Sequence, residues 1–126
     1  MKFILIPFTI LISLISDPSS KLRGNWKLEK IELEKQTLIP KTYQYGLNIS
    51  ETKVSYNLDH NRCESHSFKI TEEIIKFEDI ACTLMCCDEK YDSLANYLNY
   101  SGYYKINDSI LTIKNKVGIF YLRKTK

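Results

Sequence analysis

The chain has 126 residues, 44% of them hydrophobic and 26% charged, with a formal net charge of +3. These proportions fit one ordinary globular domain and exclude a disordered tail or a multi-span membrane bundle. Acids and bases are scattered without a block of like charge, so the small basic surplus does not imply a nucleic-acid partner.

Lys2 is followed by an apolar run that ends at Asp17-Pro18-Ser19-Ser20. A spanning helix needs about 20 apolar residues; this run is shorter and is interrupted by Pro7. It reads as a secretory signal over residues 1–20, with the mature chain starting between Asp17 and Leu22. An uncleaved anchor is the competing reading, because no small-x-small cleavage site follows Leu14-Ile15-Ser16. No cysteine follows the apolar run, which removes lipid attachment of the bacterial lipoprotein kind. The expectation is a secreted or periplasmic protein with no stable membrane span after signal removal, and a single β-rich domain over 21–126.

Trp26 and Leu28 alternate with polar residues, and Ile31 and Leu33 do so with the opposite parity, which predicts a bulge or bend within an opening strand. A loop containing Pro40 follows. The runs 45–49 and 53–58 form a hairpin if Ile49 faces Val54 and Leu47 faces Tyr56, which puts the apolar positions on one side. A second hairpin joins 63–71 to 74–82 through Glu72-Glu73, which is poor chemistry for a tight primed turn. Its register pairs Ile70 with Ile75, Phe68 with Phe77, His66 with Asp79 and Cys63 with Cys82. From Asp88 to Asn99 the period changes. Tyr91, Leu94, Ala95 and Leu98 make one stripe of a short helix with Asp88 as N-cap. The runs 103–106, 110–113 and 117–122 then read as a three-strand meander. The expected fold is mainly β (α+β): an antiparallel β-barrel or strongly curved sheet with one helix inserted before the last three strands.

An even number of cysteines in a small exported domain reads first as disulfides. Cys86 and Cys87 are adjacent and cannot easily both turn toward one tetrahedral zinc ion. No C-x-x-C stands at a helix start within a βαβ pattern, so redox catalysis has no motif. The four cysteines, Cys63, Cys82, Cys86 and Cys87, allow three pairings. The hairpin register favours Cys63 with Cys82, yet that choice leaves the adjacent pair, whose bridge is strained. The pairing expected on balance joins Cys63 to one of Cys86 and Cys87, and Cys82 to the other.

His60, Cys63 and His66 are spaced by three, which on a strand alternates faces and prevents convergence on a metal. His66 opposite Asp79 suggests a local ion pair. No serine nucleophile context, Gly-rich phosphate loop or acid pair is present, so no catalytic residue, cofactor or metal is expected. The nine tyrosines are the compositional oddity. They read first as cross-strand packing, with Tyr100, Tyr103 and Tyr104 the ones placed to line a site. Asn48, Asn99 and Asn107 each begin a glycosylation acceptor pattern.

Several motifs together resemble the META domain family, the HslJ-like proteins of bacterial envelopes. They are Leu22-x-Gly24-x-Trp26-x-Leu28-x-x-Ile31, the strand entry Asn61-x-Cys63, the segment from Cys82 to Cys87, Leu94-x-x-x-Leu98, and the closing run through Tyr104, Ile106, Leu111, Ile113, Gly118 and Leu122. A glycine near Asn61 is missing and a cysteine pair is extra. Gly24-Asn25-Trp26 also resembles the Gly-x-Trp that opens lipocalins, but those place their helix after the barrel. The META resemblance implies a non-catalytic envelope or stress-tolerance protein that binds a protein partner. The lipocalin resemblance implies a carrier of a small apolar ligand or lipid, its cavity lined by Trp26, Phe68, Phe77, Leu98 and Tyr104. A thiol-dependent enzyme is the third and least favoured class.

Overall fold

The computed structural model describes residues 18–41, 45–58, 60–84 and 94–125. The signal segment up to Asp17, Cys86, Cys87 and the first half of the expected helix lie outside them.

The alternating runs form strands β1 (Gly24–Glu32), β2 (Thr37–Leu38), β3 (Gly46–Ile49), β4 (Val54–Asn57), β5 (Arg62–Ser65) and β6 (Ser67–Ile70). They continue with β7 (Ile74–Glu78), β8 (Ala81–Cys82), β9 (Gly102–Asn107), β10 (Ile110–Lys114) and β11 (Ile119–Thr125). All belong to one sheet in the order β6, β7, β9, β10, β11, β1, β3, β4, β5, β8, with the short β2 beside β1. Every pairing is antiparallel, and the sheet curls strongly into a half-barrel. Strands β5 and β6 are one run interrupted at His66, and β7 and β8 one run interrupted at Asp79 and Ile80. Joined in this way, the ladder is eight long strands in up-and-down order: β1, β3, β4, β5/β6, β7/β8, β9, β10 and β11. The last returns to the first, and the two edges of the sheet, β6 and β8, belong to a single bent hairpin.

The expected change of parity in the opening strand is a bulge. The register of β1 against β11 shifts between Leu28 and Lys30, so Trp26, Leu28 and Ile31 all point inward. In the first hairpin Ile49 faces Val54 and Leu47 faces Tyr56. In the second, Phe68 faces Phe77, Ile70 faces Ile75 and Cys63 faces Cys82. Thr71 makes the Glu72-Glu73 turn workable: its Oγ1 accepts the backbone N–H groups of Glu73 (3.2 Å) and Ile74 (3.0 Å), a side chain standing in for a turn glycine.

Two features of that hairpin differ from a simple alternating ladder. At the interruption the buried Ser65 hydroxyl bridges the carbonyls of Ser67 (2.9 Å) and Glu78 and accepts the Ser67 N–H at 3.2 Å. Opposite it, Asp79 takes a left-handed conformation at φ 50°, which aspartate tolerates better than most residues. This corner switches the inward face. Cys63 and Ser65 are buried before it, and Phe68 and Ile70 pack on the core after it, although simple alternation puts the two sets on opposite faces. The corner also turns His66 toward Glu64, 3.5 Å away, in place of the expected pair with Asp79.

Among the described residues the inserted helix is not formed. Among the described residues, 94–97 make a single 3-10 turn with only Leu94 buried, and the chain then runs irregularly to β9. Leu94 and Tyr100, six positions apart, enter the core from this segment as separate anchors of a strap. Asn115 holds the strap, donating to the carbonyls of Asn99 (2.7 Å) and Ser101 (2.8 Å). Tertiary side-chain bonds have displaced the i→i−4 ladder that a helix stripe needs to persist.

The opposite end is closed by the 3-10 turn Pro18–Lys21 and the fully buried Leu22. The Leu22 carbonyl accepts the Trp26 indole N–H at 2.8 Å. Lys124 lies across this end, its Nζ 4.9 Å from the Trp26 ring centroid and 2.6 Å from the Arg23 carbonyl. Its stem runs so close to Gly24, at φ 129°, that a Cβ there would stand 2.9 Å from the lysine Cε. The positive φ is the condition that favours glycine here.

Candidate functional site

The residues expected to line an apolar cavity all belong to the core or pack against it. Trp26, Phe77 and Tyr104 are buried in the core, and Phe68 and Leu98 pack against its margin. Aromatic rings pack against one another in this core. Tyr100 is fully buried, edge-on to Tyr56 with centroids 5.1 Å apart and 5.6 Å from Phe120. Phe68 stacks edge-to-face on Phe77. Tyr104 fastens the tip of the second hairpin, its hydroxyl donating to the Thr71 carbonyl at 2.5 Å. Tyr103, by contrast, is 62% exposed.

The Tyr100 hydroxyl has no hydrogen-bond partner, and burial pushes its pKa far above the ordinary phenol value. A buried hydroxyl without a partner costs about 1–3 kcal/mol. Tyr100→Phe keeps the ring packing and removes that cost, so the variant is expected to match or exceed the parent in urea unfolding, by up to about 1 kcal/mol. A loss of more than that would mean the hydroxyl is bonded to a buried water or ligand.

The cysteines carry a correction. Cys63 and Cys82 are bonded to each other, with Cα atoms 4.0 Å apart, so neither joins Cys86 or Cys87. The register decided it. Flanking bonds from Thr83 N–H to the Arg62 carbonyl and from Arg62 N–H to Thr83 Oγ1 leave 63/82 as the closely spaced, non-hydrogen-bonded pair of the ladder. Among the described residues no three His, Cys, Asp or Glu side chains gather to hold a metal, and no helix is long and apolar enough to cross a membrane.

A concavity lies on the outer face instead. Along β1, β3 and β4 the residues opposite the inward set are Asn25, Asn48 and Ser55, which are directly cross-strand from one another, with Gly46 beside Lys27. The short side chains of Gly46 and Ser55 make a low floor. Lys27, Asn57, Arg62 and Thr125 stand around it, and the result is a groove of about 630 Å³ open to solvent. Of the five expected cavity residues only Trp26 borders it. Ser55 is 2% exposed, and its hydroxyl accepts Arg62 Nη2 at 3.1 Å. Asn48 donates to the Asn25 side-chain carbonyl across the strands.

The neighbouring carboxylates are engaged elsewhere. Glu64, next to Ser55 on the same face, lies 3.5 Å from Lys53 and 3.5 Å from His66, and Lys53 and His66 hold its pKa below the usual carboxylate value. Glu29 pairs with Arg123 at 2.9 Å. Glu32 accepts the Tyr121 hydroxyl at 2.7 Å, and that bond lowers its pKa. Among the described residues no acid lines the groove, whose lining joins Lys27 and Arg62 to Trp26, Tyr45, Leu47 and Tyr56.

No protein-family model, curated protein or solved structure matches this chain. The groove lies on the face opposite the inward aromatics that the sequence marks as cavity residues. The available signal was the outward set of the first hairpin, Gly46, Asn48, Ser55 and Asn57. These are small or amide residues where a solvated strand face ordinarily carries lysine, glutamate or threonine.

Proposed function

We propose that the chain is an exported, non-catalytic binding module that engages its ligand through the polar groove on β1, β3, β4 and β5. The observation that carries this reading is an outer groove of about 630 Å³ in which Lys27, Arg62 and three asparagines stand beside Trp26, Tyr45, Leu47 and Tyr56. A volume of that size suits a small-molecule or side-chain ligand. Export is supported by the N-terminal apolar run and by the Cys63–Cys82 bridge, since disulfides persist in oxidising compartments.

The expected role of binding without catalysis is retained, with the ligand moved from an apolar cavity to a polar surface. Of the two family resemblances, the lipocalin-like one gains support, because eight strands in up-and-down order are the lipocalin arrangement. The described part of the helix that spoke against it is a 3-10 turn. Backbone amide NMR with a panel of envelope saccharides, acidic peptides and a fatty acid tests the proposal. Ligand-dependent shifts are expected at Asn25, Asn48, Ser55 and Arg62. Shifts concentrated at Ile75, Leu111 and Phe120 with the fatty acid would replace it with an interior carrier.

A further inference from the structure

We propose that the free edge of β6 is a strand-addition site for an extended segment of a partner protein with the side-chain pattern apolar, acidic, apolar. Strand β6 ends the sheet and pairs with β7 alone. Such an edge offers its outward backbone N–H and C=O groups to any chain that can run beside it. None of its residues lines the groove on β1, β3, β4 and β5, so this is a second surface.

The ladder shows which backbone groups are free. The Thr71 N–H donates to the Ile74 carbonyl at 2.8 Å, so 71/74 is a hydrogen-bonded pair and, by alternation, Lys69/Lys76 is another. Phe68/Phe77 and Ile70/Ile75 are then the non-hydrogen-bonded pairs, whose backbone groups point away from each other. On the β7 side those groups are used: the Phe77 N–H donates to Ser101 Oγ at 3.0 Å, and Ile75 pairs with Gly102 of β9. On the β6 side the N–H and C=O groups of Phe68 and Ile70 face outward, and among the described residues no backbone group meets them. Two residues with one donor and one acceptor each offer an added strand four hydrogen bonds.

The side chains choose the partner. Phe68 and Ile70 are half-buried against the core, and Lys69 between them is exposed on the outer face. An added strand alternates in the same way, so its residues beside Phe68 and Ile70 extend the apolar face and the one beside Lys69 stands outside. Lys69 is directly cross-strand from Lys76, a like-charge pair that costs stability. Lys76 has Glu78 at 3.9 Å, whereas among the described residues Lys69 has no carboxylate within ion-pair distance. An Asp or Glu on the added strand would stand opposite Lys69 and offset the repulsion. A second copy of this chain is the wrong occupant. The antiparallel pairing that uses both Phe68 and Ile70 of each copy sets Lys69 against Lys69 at the closest spacing in the ladder, and edge lysines oppose self-pairing in this way.

The test is amide NMR titration of the whole folded protein with three capped peptides. They are Thr-Val-Glu-Val-Thr, Thr-Val-Lys-Val-Thr, and the glutamate peptide with both valines N-methylated, which removes the two donors that would face β6. The glutamate peptide is expected to bind saturably, shifting Ser67 to Ile70 and slowing exchange of the Phe68 and Ile70 N–H groups, more weakly as salt rises. The lysine peptide is expected to bind about threefold or more weakly, and the N-methylated one to lose binding. Lys69→Glu, at an exposed position opposite Lys76, should keep the fold and reverse the order of the first two peptides. Equal affinity for those two, or an order unchanged in the variant, would overturn the acidic assignment. Undiminished binding of the N-methylated peptide would show charge attraction without strand addition, and β6 silent to every peptide would show a closed edge; either result overturns the proposal. Concentration-dependent shifts of β6 in the free protein would assign the edge to a second copy and overturn it as well.

Discussion

Replacing Trp26 with alanine lowers the unfolding free energy by about 3–5 kcal/mol, the range for deleting a large buried aromatic. The ring is 2% exposed and serves three partners at once. It packs in the core with Leu28 and Leu47, donates to the Leu22 carbonyl, and lies under the Lys124 ammonium. Its loss leaves a cavity and releases the 3-10 turn that closes that end. A small domain has about 5–15 kcal/mol of stability in total, so Trp26→Ala should lie close to the edge of folding at room temperature. Urea unfolding followed by far-ultraviolet circular dichroism measures the change. Trp26→Phe keeps most of the volume and loses the indole bond, so it should fall between the two. A Trp26→Ala midpoint equal to the parent's would show that this end of the half-barrel is not closed as described.

Removing the Cys63–Cys82 bridge with a Cys63→Ala, Cys82→Ala double variant costs about 3 kcal/mol, the chain-entropy value for a loop of this length; the cysteines are separated by 19 positions. The local effect should exceed the global one. Strand β8 has two residues and pairs with β5 at only two positions, so without the bridge little holds it. Hydrogen exchange should then show lost protection at Ala81 and Cys82 positions and at Thr83, whose N–H bonds the Arg62 carbonyl, while Leu111 and Leu122 stay protected. An unfolding midpoint that is unchanged by the double substitution would contradict this role for the bridge.

Much of the sheet was legible because side-chain alternation has a strict period of two and a one-residue slip would expose the apolar set. That is why the Leu47/Tyr56 and Phe68/Phe77 pairings and the bulge after Leu28 could all be read from residue order. The corner at Ser65 and Asp79 could not, because it depends on a buried hydroxyl that meets two strands at once and on a left-handed aspartate. The helix expectation failed for a related reason. Leu94 and Leu98 have helical spacing, but Tyr100 is drawn into the core and Asn115 binds the strap, and both are long-range contacts. The disulfide was legible in the register and was set aside by concern over the adjacent Cys86 and Cys87, which a local argument overweighted. The groove was least legible, since it arises from which strands become neighbours. Asn25 and Asn48 are 23 positions apart, and nothing in either local stretch marks them as a pair.

On the proposed reading the protein binds its ligand at the outer groove. Gly46 offers the most direct measurement, because it lies on the groove floor and a Cβ added there meets only the Trp26 carbonyl, at 3.4 Å. Gly46→Phe should fill the groove without disturbing the fold. Titration calorimetry of this variant, alongside the parent and with melting checked, is predicted to show loss of ligand binding at unchanged melting temperature. Undiminished binding in the filled variant would contradict the account and return the search to the interior.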